Sequence, residues 1–209
     1  MEDVLDVYQR PYDRDYPQVC LDEIQKMLRS TPRGTLPVEK GKPRRQDYEY
    51  KRHGTCSVFL AVEPLQGFRK VWVSSQRTNL DFALVLKALV DDLYPTAKKI
   101  VLVVDNLNIH HPACLYARFP PAEARRIAAK IEWHYTPEHA SWLNIAECEL
   151  SVLRRQCLKS RLPDMEAVTT KATAWQNERN EKQVGIDWRF TTEDARIKLK
   201  RLYPIVKVQ

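Results

Sequence analysis

Residues Ile100-Val101-Leu102-Val103-Val104 are apolar at every position and β-branched at four of five, and the run closes on Asp105. A strand without polar alternation has no face to give to water, so it belongs at the centre of a sheet covered on both sides. Other segments supply the layers. Val19–Asp22 reads as a short strand ending in an acid, Thr55–Val62 and Phe68–Val73 as an antiparallel hairpin across the turn-rich residues 63–67, and Ile131–Tyr135 as a further strand. Asn79 is placed to cap a helix with apolar positions Phe82, Leu86, Leu89 and Leu93, which Pro95 stops, and Pro120-Pro121 opens another helix. Beyond Pro137, Leu143, Ala146, Leu150, Leu153 and Cys157 recur at steps of three and four and form one apolar stripe. Between Glu23 and Arg52, prolines and glycines punctuate a run rich in Lys and Arg that offers no regular apolar face, which reads as a long basic loop. The expectation is one α/β domain over all 209 residues, a mixed sheet with helices packed on it.

Composition narrows the function classes. A chain with 44% hydrophobic and 29% charged residues has a globular balance. No stretch approaches the roughly 18 apolar residues of a membrane span, and the amino terminus is acidic where a signal peptide is basic, so the chain reads as soluble and cytoplasmic with no membrane partner. Five cysteines without a C-x-x-C pair support neither a disulfide framework nor a cysteine zinc site and read as reduced core residues. The net charge of +7 is one-sided: residues 151–209 carry 13 Lys and Arg against 7 Asp and Glu, leaving only +1 for residues 1–150. Such a field favours a polyanionic partner.

Two strands end in aspartate, Asp22 and Asp105. Reactive groups in α/β sheets gather beyond strand ends, and hard divalent cations need several carboxylate oxygens that would otherwise repel one another. The helix after Pro137 offers Glu147 and Glu149 as a third acid, on opposite flanks of its apolar stripe, and periodicity does not choose between them. Arg154 shares the flank of Glu147. Asn106, Asn108 and His110 follow the second aspartate, where they can orient water or touch a phosphate, and Trp142 is placed to stack on a base. Arg44, Arg45, Lys51 and Arg52, with Tyr48 and Tyr50 interleaved, make a candidate phosphate-contacting strip.

The segments Val101-Leu102-Val103-Val104-Asp105-Asn106-Leu107-Asn108-Ile109-His110, Trp133-His134-Tyr135-Thr136-Pro137 and Ser141-Trp142-Leu143-Asn144-Ile145-Ala146-Glu147 together resemble the catalytic core of insertion-sequence transposases of the Tc/mariner type, in the DDE superfamily. The likeness runs from Asp22 to Leu199-Lys200-Arg201-Leu202-Tyr203. In that family the glutamate stands three residues after an asparagine, which maps onto Asn144 and Glu147 and leaves Glu149 outside. The proline usual in that motif is replaced here by Ile145, and the interval from Asp105 to Glu147 is longer than is common in the family, consistent with a helical insert at Arg118–Lys130.

The resemblance implies an RNase H-like fold and phosphodiester chemistry with two Mg2+ or Mn2+ ions, Asp22 bridging them and Asp105 and Glu147 each completing one oxygen shell. It implies a DNA substrate and a homodimer that pairs two DNA ends. Members usually carry an amino-terminal helix-turn-helix, and only 21 residues precede Asp22. The expectation is therefore one part of a split element, with a separately encoded helix-turn-helix partner, or a truncated remnant. Two rivals stand beside a cutting and joining transposase domain: an RNase H-like nuclease without strand transfer, and an inactive fragment that binds DNA through its basic carboxy-terminal segment.

Overall fold

The structure, a computed structural model, describes residues 1–33, 35–36, 40–42, 45–46 and 48–203. In chain order the elements are helix α1 (Glu2–Gln9), strands β1 (Gln18–Ser30), β2 (Thr35–Leu36), β3 (Arg45–Gln46), β4 (Lys51–Glu63) and β5 (Phe68–Ser74), helix α2 (Asn79–Ala88), strand β6 (Ile100–Val104), helices α3 (Ala113–Arg118) and α4 (Pro121–Ala129), strand β7 (Ile131–Tyr135), and helices α5 (Ile145–Gln156), α6 (Met165–Glu181) and α7 (Thr192–Lys198).

Five strands form one sheet in the order β5-β4-β1-β6-β7, while β2 and β3 pair separately. β4 runs antiparallel to β1 and β5, whereas β6 runs parallel to β1 and β7, giving a mixed sheet, as expected. β1 is the middle strand and β6 lies next to it. All five β6 residues are buried, as a run without polar alternation demands.

Alternation then divides the core in two. Cys20, Val58, Leu60, Val62, Val101 and Val103 face a layer built from α1, α5 and α6, with Ala195 of α7 joining it. Val19, Leu21, Phe59, Ala61, Ile100, Leu102 and Val104 face α2, α3 and α4 on the other side. The α5 stripe lies in the first cluster, with Ala146, Leu150 and Leu153 buried and Cys157 half-buried. Cys20, Cys56 and Cys114 are core residues as expected, but Cys148 is exposed.

Two expectations need correction. Residues 23–52 are not one loop: β1 continues to Ser30 and pairs with β4 from Lys51 onward, through Ser30↔Lys51, with an irregularity between Met27 and Arg29. The first six residues of β1 are buried and the first five of β4 exposed, so this end of the ladder runs out towards solvent on the β4 side, with Leu28 of β1 still reaching the core. There it is held by backbone pairing, and no apolar pattern is required to mark it. The cap of α2 is Thr78 rather than Asn79: its side chain accepts from the Asp81 amide while the Asp81 carboxylate accepts from the Thr78 amide. From Leu89 to Leu93 that helix relaxes into a π-helical turn. No helix among the described residues is long and apolar enough to cross a membrane.

Candidate active site

Asp22, Asp105 and Glu147 line one open cleft of about 380 Å³, together with Glu23, Arg77, Ser141, Ser151 and Arg154. Three elements deliver them. Asp22 sits on β1 where the strand leaves the helical layers, Asp105 directly follows β6, and Glu147 lies in the first turn of α5.

The start of α5 is tied to β1 by a single side chain. Asn144, fully buried, caps the helix by accepting from the Ala146 amide, and its Nδ2 donates to the Leu21 carbonyl at 2.9 Å. The residue before Asp22 and the helix turn that bears Glu147 are thereby fixed to each other. That explains physically why an asparagine stands three positions before this glutamate. The Tyr8 hydroxyl adds a second tie, donating to the Leu143 carbonyl at 2.7 Å.

Glu147 and Glu149 differ in their surroundings. Glu149 is buried and ion-paired to Arg69 at 2.7 Å and to Arg179 at 2.8 Å. Arg69, with no exposed surface, also donates to the Gly67 and Val184 carbonyls. Residues two positions apart on a helix point about 200° apart, so clamping Glu149 beneath α5 turns Glu147 outward, where it is exposed at the cleft.

The electrostatics of the cleft are unbalanced. Asp22 is only 8% exposed, and it accepts a hydrogen bond from the Glu23 amide at 2.7 Å. Burial above all, with the Glu23 and Asp105 charges added, raises its carboxyl from 3.8 to about 7. Asp105 behaves differently. Burial opposes its ionisation, but a 2.5 Å bond from His110 Nδ1 and a bond from the Leu107 amide hold it below the usual carboxylate range. His110 Nε2 donates to Glu23 at 2.8 Å. Burial would lower this imidazole, yet its two carboxylate partners raise it to about 9, so it bridges them as a cation. His110 therefore does not face nucleic acid as its position after Asp105 suggests: its side chain has no exposure and both ring nitrogens are engaged.

The other sequence candidates scatter. Asn106 and Asn108 are exposed beyond the end of β6. Trp142, 41% exposed, stands beside the cleft residue Ser141 and makes an edge contact with Phe190 at 6.1 Å. Lys51 and Arg52 are exposed at the start of β4, and Arg154 reaches the cleft itself. Arg44 lies outside the described residues, as does the side chain of Arg45. Glu23 and Arg77 have no sequence signal: Glu23 reads as the first residue of a loop, and Arg77, 3.5 Å from Glu23, stands in a connection without a pattern.

Among the described residues no three His, Cys, Asp or Glu side chains are grouped to hold one ion. The donor set nonetheless suits hard cations. Mg2+ keeps several waters and takes one or two protein carboxylates plus substrate phosphate oxygens, so an ion does not need three acids of the protein. Asp22, buried without a cationic partner of its own among the described residues, is the group that a bound cation would satisfy.

Residues 17–169 match the family described as DDE superfamily endonuclease. Among solved structures, a pre-cleavage Mos1 transpososome, a Mos1 mariner paired-end complex with Mn and a Mos1 strand transfer complex are each 15% identical to this chain with a TM-score of 0.46. They match over 87% of this chain, which spans 58%, 55% and 57% of theirs. No curated protein matches.

Proposed function

The chain belongs to the DDE superfamily of endonucleases, and we propose that within it this domain is a Tc/mariner-type transposase catalytic domain that cuts and joins DNA ends at the cleft of Asp22, Asp105 and Glu147. The observation that carries the reading is the meeting of these three acids, remote in sequence, in one cleft. In this reading Asp22, Asp105 and Glu147 would together hold two Mg2+ or Mn2+ ions, with Asp22 contributing to both. When bound, such ions activate the attacking water or 3′-hydroxyl and stabilise the leaving oxygen.

The chain's own residues orient this chemistry. His110 holds the Asp105 carboxylate ionised and fixed, so one oxygen is aimed while the other stays free to ligate. Asn144 and the Arg69–Glu149–Arg179 network set the position and rotation of α5, and hence of Glu147. Arg154, between the cleft and the basic surface beyond it, is placed to hold a phosphate. The same reading has two copies act together on paired DNA ends.

The test is cleavage of a DNA duplex in Mg2+ or Mn2+. Asp105→Asn and Glu147→Gln should each abolish cutting while leaving DNA affinity in EDTA unchanged. Cutting retained by both variants would overturn the assignment. Joined product on supplying a 3′-hydroxyl end separates transposition from hydrolysis alone.

A further inference from the structure

A second cavity, about 600 Å³, opens between the outer half of β1 and the end of α5, and it is lined by Lys26, Arg29, Arg154, Arg155, Lys159 and Arg161. Among the described residues no carboxylate lines it, and none of these six cations makes an ion pair. Elsewhere the protein offsets such charges: Lys87 and Arg126 are matched by Asp91 and Glu123. Here burial, followed by the charges of Arg29 and Arg154, depresses the Lys26 ammonium.

The groove is built rather than incidental. Lys26 Nζ donates to the Leu158 and Ser160 carbonyls at the end of α5, and Arg161 donates to the Tyr48 and Glu49 carbonyls, so both cations are fixed to backbone. It joins the acidic cleft, since Ile24 and Arg154 line both. At its far end, Arg29, Arg161 and Arg52 surround the Tyr50 ring at 4.6, 5.5 and 5.8 Å from its centroid, carrying positive charge on towards Lys51.

We infer that this groove is the track for a DNA strand running away from the cut phosphodiester, gripped through its phosphates by Arg29, Arg155, Lys159 and Arg161. The chemistry that fits is a chain of regularly spaced anions: a single phosphate would leave most of the cations unmatched, and a continuous strand matches them in order while its scissile link lies in the acidic cleft. Guanidinium and ammonium groups that contact phosphate do not read bases, so the track binds irrespective of sequence. The inference rests on the endonuclease reading of the cleft but is measured without cleavage.

The experiment is fluorescence anisotropy of a labelled DNA duplex in EDTA, across a salt series from about 50 to 200 mM. Arg155 and Lys159 are exposed, so the Arg155→Gln/Lys159→Gln double variant removes charge without disturbing the core. Removing one cation that neutralises a phosphate flattens the plot of log affinity against log salt by about 0.9, so the double variant should lower the slope by about two. Lys99→Gln/Arg125→Gln, equal in charge and outside the groove, should leave it unchanged. An unchanged slope in the groove variant, an equal change in the control pair, or tighter binding of an RNA duplex would overturn the inference. If the slope falls as expected while the wild type shows no metal-dependent cutting, the track stands and the nuclease reading of the cleft fails.

Discussion

Replacing Asp22 by Asn should make the metal-free protein more stable while ending the strand cleavage proposed for the cleft. Burial raises the Asp22 carboxyl from 3.8 to about 7, which corresponds to a penalty of about 4 kcal/mol on its ionised form. Because the folded state holds this proton more tightly than the unfolded chain does, the contribution to stability falls as pH rises from near 3.8 to about 7 and is level above that. Asn carries no charge and keeps an oxygen to accept from the Glu23 amide, as Asp22 does. For a domain of this size about 1 kcal/mol moves the unfolding midpoint by about 2–4 °C, so full recovery of the penalty raises it by roughly 8–16 °C at pH 8. The gain should vanish below about pH 4. The assay is thermal unfolding followed by circular dichroism in EDTA from pH 4 to pH 8. Added Mg2+ should then raise the wild-type midpoint and leave the variant in place, since only the wild type has a carboxylate at this position to bind it. An Asp22→Asn protein less stable than wild type at pH 8 in EDTA would refute the reasoning.

Three further outcomes follow from named contacts. Glu149→Ala leaves the buried Arg69 charge without its partner and should cost about 3–5 kcal/mol in urea unfolding; a loss below about 1 kcal/mol would show that the network is not the clamp on α5. Asn144→Ala removes both a helix cap and the bond to the Leu21 carbonyl, so it should cost about 1–3 kcal/mol and depress cleavage further than a core variant of equal destabilisation, such as Val168→Ala. His110 has its folded pKa raised from 6.5 to about 9, so its contribution is full below pH 6.5 and is lost as pH rises through about 9, a fall of about 3 kcal/mol. His110→Gln should flatten the stability profile over that window, as read by urea unfolding at successive pH values.

The parts of this fold that are legible in the sequence are those where burial writes a pattern. Ile100–Val104, the 55–62 and 68–73 runs and the α5 stripe are all pressed against a core on at least one face, and periodicity records that pressure. The outer half of β1 carries no such regular mark because it is covered only in part: Leu28 reaches the core and Ile24 packs against it, while Lys26 and Arg29 sit in a ladder held through backbone atoms, which leave no trace in side-chain identity. The short helices α1 and α3 lack an apolar repeat long enough to stand out. In the site, Asp105 can be found from its position directly after β6, whereas Asp22 lies inside β1 and not at a strand end, because the strand continues to Ser30. Selection of Glu147 over Glu149 needs a family resemblance, because both flank one apolar stripe and the partners of Glu149, Arg69 and Arg179, are 80 and 30 positions away in sequence. The bridge from Asp105 through His110 to Glu23 is invisible for the same reason, since it joins residues 87 positions apart.

Sharing of two divalent cations by Asp22, Asp105 and Glu147 is tested most directly by anomalous diffraction from crystals of the protein grown with Mn2+ and a DNA end. Two peaks are expected in the cleft, one ligated by Asp22 and Asp105 and the other by Asp22 and Glu147, with Glu149 still bound to Arg69. A cleft without manganese under those conditions, or ions held by other side chains with Glu147 turned away, would contradict that arrangement.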